Sequence, residues 1–190
     1  MWGGSSPLAI SPNGRLLVTQ AGPSGTLEIW DTHAAQKIQS LPAHKLSVTS
    51  LAFSSDGQRL LTAGQETPIS RPYAAVPDPT AEFSVKLWDI ATWREKSLAT
   101  TTRVGAPIAA FSPDGHRLAF EESWDVIALF DIDQGAATGT LAASAPRSGN
   151  RTFSTGNLGF GPDGTCLSGR AKRGARVDAE TSRKMTGLGL

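Results

Sequence analysis

Three histidines, one cysteine and a scatter of carboxylates are the groups in this 190-residue sequence with the means to do chemistry. His33, His44 and His116 stand far apart, with no second histidine one helical turn away, and a zinc site needs ligands that converge. No metal ligand is therefore assigned. A histidine, a hydroxyl and a carboxylate are the parts of a hydrolytic triad, so His44 with Thr62 has to be weighed as base and nucleophile. Acyl transfer needs an activated nucleophile beside an oxyanion hole, and no nucleophile elbow or comparable motif occurs. The sequence thus predicts no catalytic residue. His33 and His116 read as exposed turn residues. Cys166 is the single cysteine, which excludes an intrachain disulfide and any multi-cysteine cluster; a lone thiol on an apolar strand acts as a small hydrophobe. Gly156 to Gly161 reads GNLGFG, yet it leads into a hairpin, and the helix N-terminus that would hold a phosphate is missing. Glu121 and Glu122 fall where a strand runs out and are expected in a solvated loop. No cofactor is expected, and the chain reads as a non-enzyme.

Composition narrows the partners further. The chain is 39% hydrophobic and 18% charged, with a net charge of +1, which gives no global attraction to nucleic acid or an anionic membrane. Six Lys or Arg lie beyond Thr165 (Arg170, Lys172, Arg173, Arg176, Arg183, Lys184) against Asp178 and Glu180, but without interleaved aromatics. Such a run reads as a solvated face rather than a nucleic-acid site. No stretch approaches the roughly 18 apolar residues of a membrane helix. The first residues lack a basic segment and a long apolar core, so the chain is expected in the cytoplasm, which also suits its cysteine poverty.

The elements that must position any site come in repeats. A short apolar strand and a tight turn occur four times: LAISPNGRLL from Leu8, LAFSSDGQRLL from Leu51, AAFSPDGHRLAF from Ala109 and LGFGPDGTCL from Leu158. Each turn ends on Gly14, Gly57, Gly115 or Gly164. In S-P-D-G, Pro presets the first corner, Asp bonds the local backbone and Gly accepts positive φ, so the motif is a hairpin turn. An alternating strand follows each turn: LEIWD to Asp31, VKLWD to Asp89, IALFD to Asp131 and ARVD to Asp178. These aspartates lie 17, 32, 16 and 14 residues beyond their turn glycines, so the second unit carries an insertion of about 15 residues. A fourth segment closes each unit on Leu41, Leu98, Leu141 or Leu188. Every unit then reads as four strands, spanning about 8–41, 51–98, 109–141 and 158–188, with the insertion at 66–83.

These coincident landmarks resemble the WD40 repeat, over nearly the whole chain. The resemblance implies an all-β fold of about four four-stranded antiparallel propeller blades. Trp30 and Trp88 match the signature, while Phe130 and Val177 replace it in the last two units. In VKLWD, alternation sends Val85, Leu87 and Asp89 to one sheet face and Lys86 and Trp88 to the other, with Lys86 long enough to snorkel outward. The resemblance also implies a structural tetrad of His, hydroxyl, Asp and Trp. The second unit supplies His44, Thr62 and Trp88, but its turn Asp is displaced by the insertion. The first offers Ser24 near the Asp position with Trp30, and the third offers Asp125 without histidine. No unit is expected to keep the full set, and both tryptophans are expected to be buried between blades.

The insertion holds Pro68, Pro72, Pro77 and Pro79 with Arg71, Tyr73 and Phe83. Tyr and Arg are favoured at binding hot spots, and prolines lower the entropy lost on ordering, so Arg71, Tyr73 and Phe83 are the candidate partner contacts. The plainer reading is a tolerated surface loop. The resemblance implies a non-catalytic scaffold that docks other proteins; the alternatives are a sensory or regulatory propeller portion of a larger bacterial protein, for example a kinase-linked one, and lastly a propeller enzyme. With no spare strand to latch a ring, the sequence predicts an open or partial propeller that is part of a larger one or completes its ring with another chain.

Overall fold

The chain is all-β. The computed structural model describes residues 8–68, 81–102, 108–123, 126–142, 158–162, 166–168, 175–177 and 184–185, and among them every regular element is a strand. The first sheet is β1 (Leu8–Ile10), β2 (Leu16–Gln20), β3 (Thr26–Asp31) and β4 (Gln36–Pro42); the second is β5 (Ser47–Phe53), β6 (Arg59–Gln65), β7 (Glu82–Asp89) and β8 (Glu95–Thr102). The third is β9 (Ala109–Phe111), β10 (Arg117–Ser123), β11 (Val126–Asp131) and β12 (Ala136–Ala142). The fourth is β13 (Leu158–Phe160), β14 (Cys166–Ser168), β15 (Ala175–Val177) and β16 (Lys184–Met185). Each sheet is an antiparallel meander in chain order. The first strands lie side by side, β1 by β5, β5 by β9 and β9 by β13, so the sheets stand around a common inner edge as propeller blades do.

One turn chemistry makes the first three hairpins. Ser54 Oγ donates to Asp56 Oδ1 at 2.5 Å and accepts from the Arg59 amide at 2.9 Å, while Asp56 also accepts from the Gln58 amide. Ser11 with Asn13 and Ser112 with Asp114 repeat the arrangement. Gly14, Gly57 and Gly115 close these turns at φ of 71°, 70° and 75°, a region that strains any residue with a Cβ. Ser54 is fully buried, so Ser54→Ala leaves the Arg59 amide without its acceptor and is expected to cost about 1–3 kcal/mol. Urea unfolding checks this, with exposed Ser55→Ala expected to fall within about 0.5 kcal/mol of wild type. In the first three units the hairpin between the third and fourth strands is capped by the Asp that ends the third strand. Asp31 accepts from the His33 and Ala34 amides, Asp89 from the amide and hydroxyl of Thr92, and Asp131 from the Gln134 amide. Local bonds to Ala34 and His33, with Arg15 alongside, hold Asp31 below the usual carboxylate range, and the Thr92 bonds do the same for Asp89.

Packing runs between sheets. Val18, Leu27, Ile29 and Leu41 of the first sheet meet Val48, Leu60 and Trp88 of the second. Leu61, Val85 and Leu87 meet Ala109, Leu118, Phe120 and Phe130 across the next gap, and Ala119, Ile127 and Leu129 meet Leu158 and Phe160 across the last. Strand alternation accounts for this: Leu60 and Trp88 turn to one neighbour while Leu61 and Leu87 turn to the other. Each fully buried Leu, Ile or Val contributes roughly 1.5–3 kcal/mol by leaving water.

Four expectations need correction. Trp88 is buried, but Trp30 is half-buried, because its side of the first sheet carries exposed Leu8 and Ile10 and no described sheet covers it. Glu121 lies within β10 at 8% exposure, not in a solvated loop, since β11 pairs with β10 past this point and holds it in the sheet. Glu122 alone of the two is exposed. The segment 66–83 is not all insertion: Glu82 and Phe83 begin β7, and Phe83 pairs with Gln65. Lys86 does not snorkel out to water, for reasons given by its partners below.

Candidate functional site

Among the described residues, a group of buried polar side chains meets where the first sheet hands over to the second. The linker Ala43–Leu46 is pinned at both ends: the amides of Ala43 and His44 donate to the Gly25 carbonyl at 3.1 and 2.9 Å, and the Leu46 amide donates to Gln65 O at 3.0 Å. His44 is thereby pressed against β6, where Gly64 makes room. A Cβ on Gly64 would sit 2.3 Å from His44 Cγ and 2.5 Å from the Ser47 carbonyl oxygen. Sequence reading did not single out Gly64, though an isolated glycine within an apolar strand is the local sign of such an approach.

The imidazole joins two arms of one hydrogen-bond chain. Trp88 Nε1–H donates to Thr62 Oγ1 at 3.1 Å, and Thr62 Oγ1 lies 2.9 Å from His44 Nε2. On the other side His44 Nδ1 lies 2.8 Å from Glu66 Oε1, which also accepts from Ser84 Oγ at 2.5 Å. Ionised Glu66 accepts only, so the proton sits on Nδ1, and Nε2 accepts from the Thr62 hydroxyl. Glu66 Oε2 takes the Lys45 amide at 3.3 Å. Lys86 Nζ donates to the Ala43 carbonyl at 2.7 Å and lies 3.7 Å from Glu66 and 3.4 Å from Glu95, with 15% of its side chain exposed. It also stands 6.0 Å from the centre of the Trp88 ring.

The second unit has no Asp in this set, yet the set is not left without a carboxylate. Glu66, at the head of the β6–β7 connection and one methylene longer than Asp, brings one to the same imidazole. Neither Glu66 nor Ser84 was legible, because their role depends on how β6 and β7 pair, with Gly64 opposite Ser84. The first and third sheets have no such set: Thr19 and Phe120 occupy the register of Thr62, and neither unit has an entering histidine.

His44 cannot serve as a solvent-facing base, since its side chain is 0% exposed. Burial lowers its pKa, against the raising influence of Glu66. Burial pushes Glu66 the other way, but hydrogen bonds from Ser84 and His44 and the charge of Lys86 outweigh it and hold the carboxyl below its usual value. Both groups are therefore depressed in the folded chain. A depressed group stabilises the fold above its unfolded pKa, and that contribution is lost as pH falls through the folded value. Stability is expected to decline below about pH 6.5 through His44 and further below about 4.5 through Glu66, the ordinary values of the two groups. Urea midpoints of wild type and His44→Gln at pH 7.5 and 5.5 check the first step; the variant should show the smaller fall.

The remaining candidates lie elsewhere. Phe83 is 2% exposed, and its pairing with Gln65 holds it within the β6–β7 ladder, so it is not a partner contact. Arg71 and Tyr73 lie outside the described residues, as do Asp125, Gly164 and Asp178. His33 and His116 are exposed at turns, and His116 Nδ1 lies 2.5 Å from Asp133 Oδ2. Asp133 also meets Arg59 at 3.5 Å, and Arg59 donates to Gly115 O, joining the second and third sheets at one end. Exposed pairs of this kind add little stability. Ser24 binds the Ala21 carbonyl within its own turn and has no part in a tetrad. Cys166 is in β14.

Comparison with known proteins places this geometry. Residues 35–67, from the last strand of the first sheet through His44 to Glu66, match the family model "WD domain, G-beta repeat". The chain is 22% identical over 150 residues to the periodic tryptophan protein 2 homolog of Schizosaccharomyces pombe, covering 78% of this chain and 16% of that protein. It is 28% identical over 116 residues to a WD repeat-containing protein of Deinococcus radiodurans, covering 58% and 41%. With WD repeat-containing protein VIP3 of Arabidopsis thaliana it shares 27% over 144 residues, covering 69% and 40%. The chain thus spans less than half the length of each of these relatives. Among solved structures, hydrazine synthase of Kuenenia stuttgartiensis aligns with 95% of this chain and 47% of that chain at a TM-score of 0.66 and 16% identity, a likeness of fold alone. Four blade-like sheets, a repeat-model match on the segment that carries the tetrad histidine, and similarity to WD repeat-containing proteins together show that this chain resembles the WD-repeat family in fold and in at least one repeat.

Proposed function

We propose that the chain is a non-catalytic docking module for other proteins. The observation that carries this reading is the use of its one buried imidazole: His44 is enclosed between two blades by Thr62, Glu66 and Ser84, where it serves packing and is out of reach of a substrate. The groups left to meet a partner are those of the turns and connections at the blade ends. Among these the β6–β7 connection is the longest candidate, with Arg71 and Tyr73 as the contacts most suited to an anchoring role. Family resemblance supports the class of function, as an analogy of fold.

The test is recovery of a defined partner on the immobilised chain, repeated with residues 69–80 replaced by a short Gly-Ser link and with Arg71→Ala/Tyr73→Ala. The partner should be lost in both variants while their urea midpoints stay near wild type. Unchanged recovery from both would remove the connection as the docking element, and turnover of a substrate lost in His44→Gln would remove the non-catalytic reading.

A further inference from the structure

Glu66 belongs to two structures at once. Its side chain completes the interblade set around His44, and its backbone is the root of the β6–β7 connection, where the Glu66 amide donates to Glu82 O at 2.8 Å and Thr67 Oγ1 accepts from the Glu82 amide at 2.7 Å. The same carboxylate holds the Lys45 amide, and Lys86 holds the Ala43 carbonyl. A few hydrogen bonds thus tie the linker between the first two blades to the root of the connection. The sheets on either side are held by separate apolar layers.

We propose that His44 and Glu66 form an acid-sensitive latch, closed when His44 is neutral, that opens the linker 43–46 and the connection root at Glu66, Thr67 and Glu82 when His44 takes up a proton. The direction follows from the donors. In the closed state Trp88 and Thr62 form a line of O–H and N–H groups ending on the lone pair of His44 Nε2. A proton on Nε2 reverses the last bond: Thr62 Oγ1 then accepts from both Trp88 and His44, and its own hydrogen loses its acceptor in a site with no water contact. The charges facing the ring are Glu66, Lys86 and Glu95. Lys86 offsets only one of the two carboxylates, so the charge left over favours an imidazolium, but burial of a ring with no exposed side chain outweighs that attraction. Opening returns His44 to water, where it titrates normally. Acid therefore favours the open state.

The inference stands apart from the docking reading, because its readouts need no partner. In the ¹⁵N-labelled full chain, the imidazole spectrum at pH 7.5 should show neutral His44 with the proton on Nδ1. Amide exchange at Lys45, Glu66 and Thr67, corrected for intrinsic rates, should reflect an opening equilibrium that rises with acid below about pH 6.5, approaching tenfold per pH unit, the limit for uptake of one proton. Amides of Leu61 and Val85 within the sheet should be far less affected. His44→Gln should flatten the pH response of the three amides, and Glu66→Gln should raise their exchange already at pH 7.5. A protonated His44 or a proton on Nε2 at pH 7.5, exchange that does not change between pH 7.5 and 5.0, or a His44→Gln chain with the wild-type pH response would each overturn the latch. Should His44→Gln not fold, the wild-type imidazole titration and the exchange of the same amides decide the matter.

Discussion

Trp88→Ala is expected to lose about 3–5 kcal/mol of unfolding free energy, the range for large aromatic truncations in a core. The indole is 3% exposed and packs with Val18, Leu27, Ile29 and Leu60, so its removal opens a cavity between the first two blades. It also removes the Nε1–H donor to Thr62 Oγ1, a hydroxyl that is itself fully buried. The matching change in the first blade, Trp30→Ala, is expected to cost about 1–2 kcal/mol, since a half-buried ring takes less area from water. Urea unfolding of both variants gives the comparison, and equal losses would contradict the burial difference between the two tryptophans.

Gly64→Ala should be the most damaging change for its size. The added methyl would have to occupy space 2.3 Å from His44 Cγ, 2.5 Å from His44 Cδ2 and 2.5 Å from the Ser47 carbonyl oxygen. The ring cannot swing aside without leaving Thr62 and Glu66, and the carbonyl belongs to the β5–β6 ladder. A cost of about 3 kcal/mol is expected, the upper end for overpacking. Gly159→Ala is the control: a Cβ there meets nothing within 4 Å, and the change is expected to stay within about 0.5 kcal/mol of wild type. The Gly64→Ala chain should also lose the Nδ1–H signature of His44 in the imidazole spectrum at pH 7.5. Retention of both stability and that signature would show that β6 is not what presses on the ring.

The repeat was legible in the sequence because its punctuation is local. Ser, Asp and Gly at fixed spacing close a turn through bonds that span at most five residues, as Ser54 with Asp56 and Arg59 shows. Two-residue alternation assigned the faces of VKLWD for the same reason: the pleat is a property of a single strand, and Leu87 and Trp88 do pack into opposite layers. His44, Thr62 and Trp88 could be matched to a set because the repeat spaces them regularly.

What tertiary structure alone decided is which residues complete that set. Ser84 is 40 residues from His44 and Glu66 is 22, and no local pattern links them. They meet because β6 and β7 pair with Gly64 opposite Ser84, which brings the head of the connection over the imidazole that the linker lays on β6. The burial of Phe83 and Glu121 was hidden for a related reason. Proline-rich composition beside Phe83, and two adjacent acids at Glu121, read locally as loop, whereas ladder pairing with Gln65 and Ile127 carries each of them into a sheet. Turn chemistry is fixed by neighbours in the chain, but burial and hydrogen-bond partners across strands are fixed by register, and register is set only when the sheets assemble.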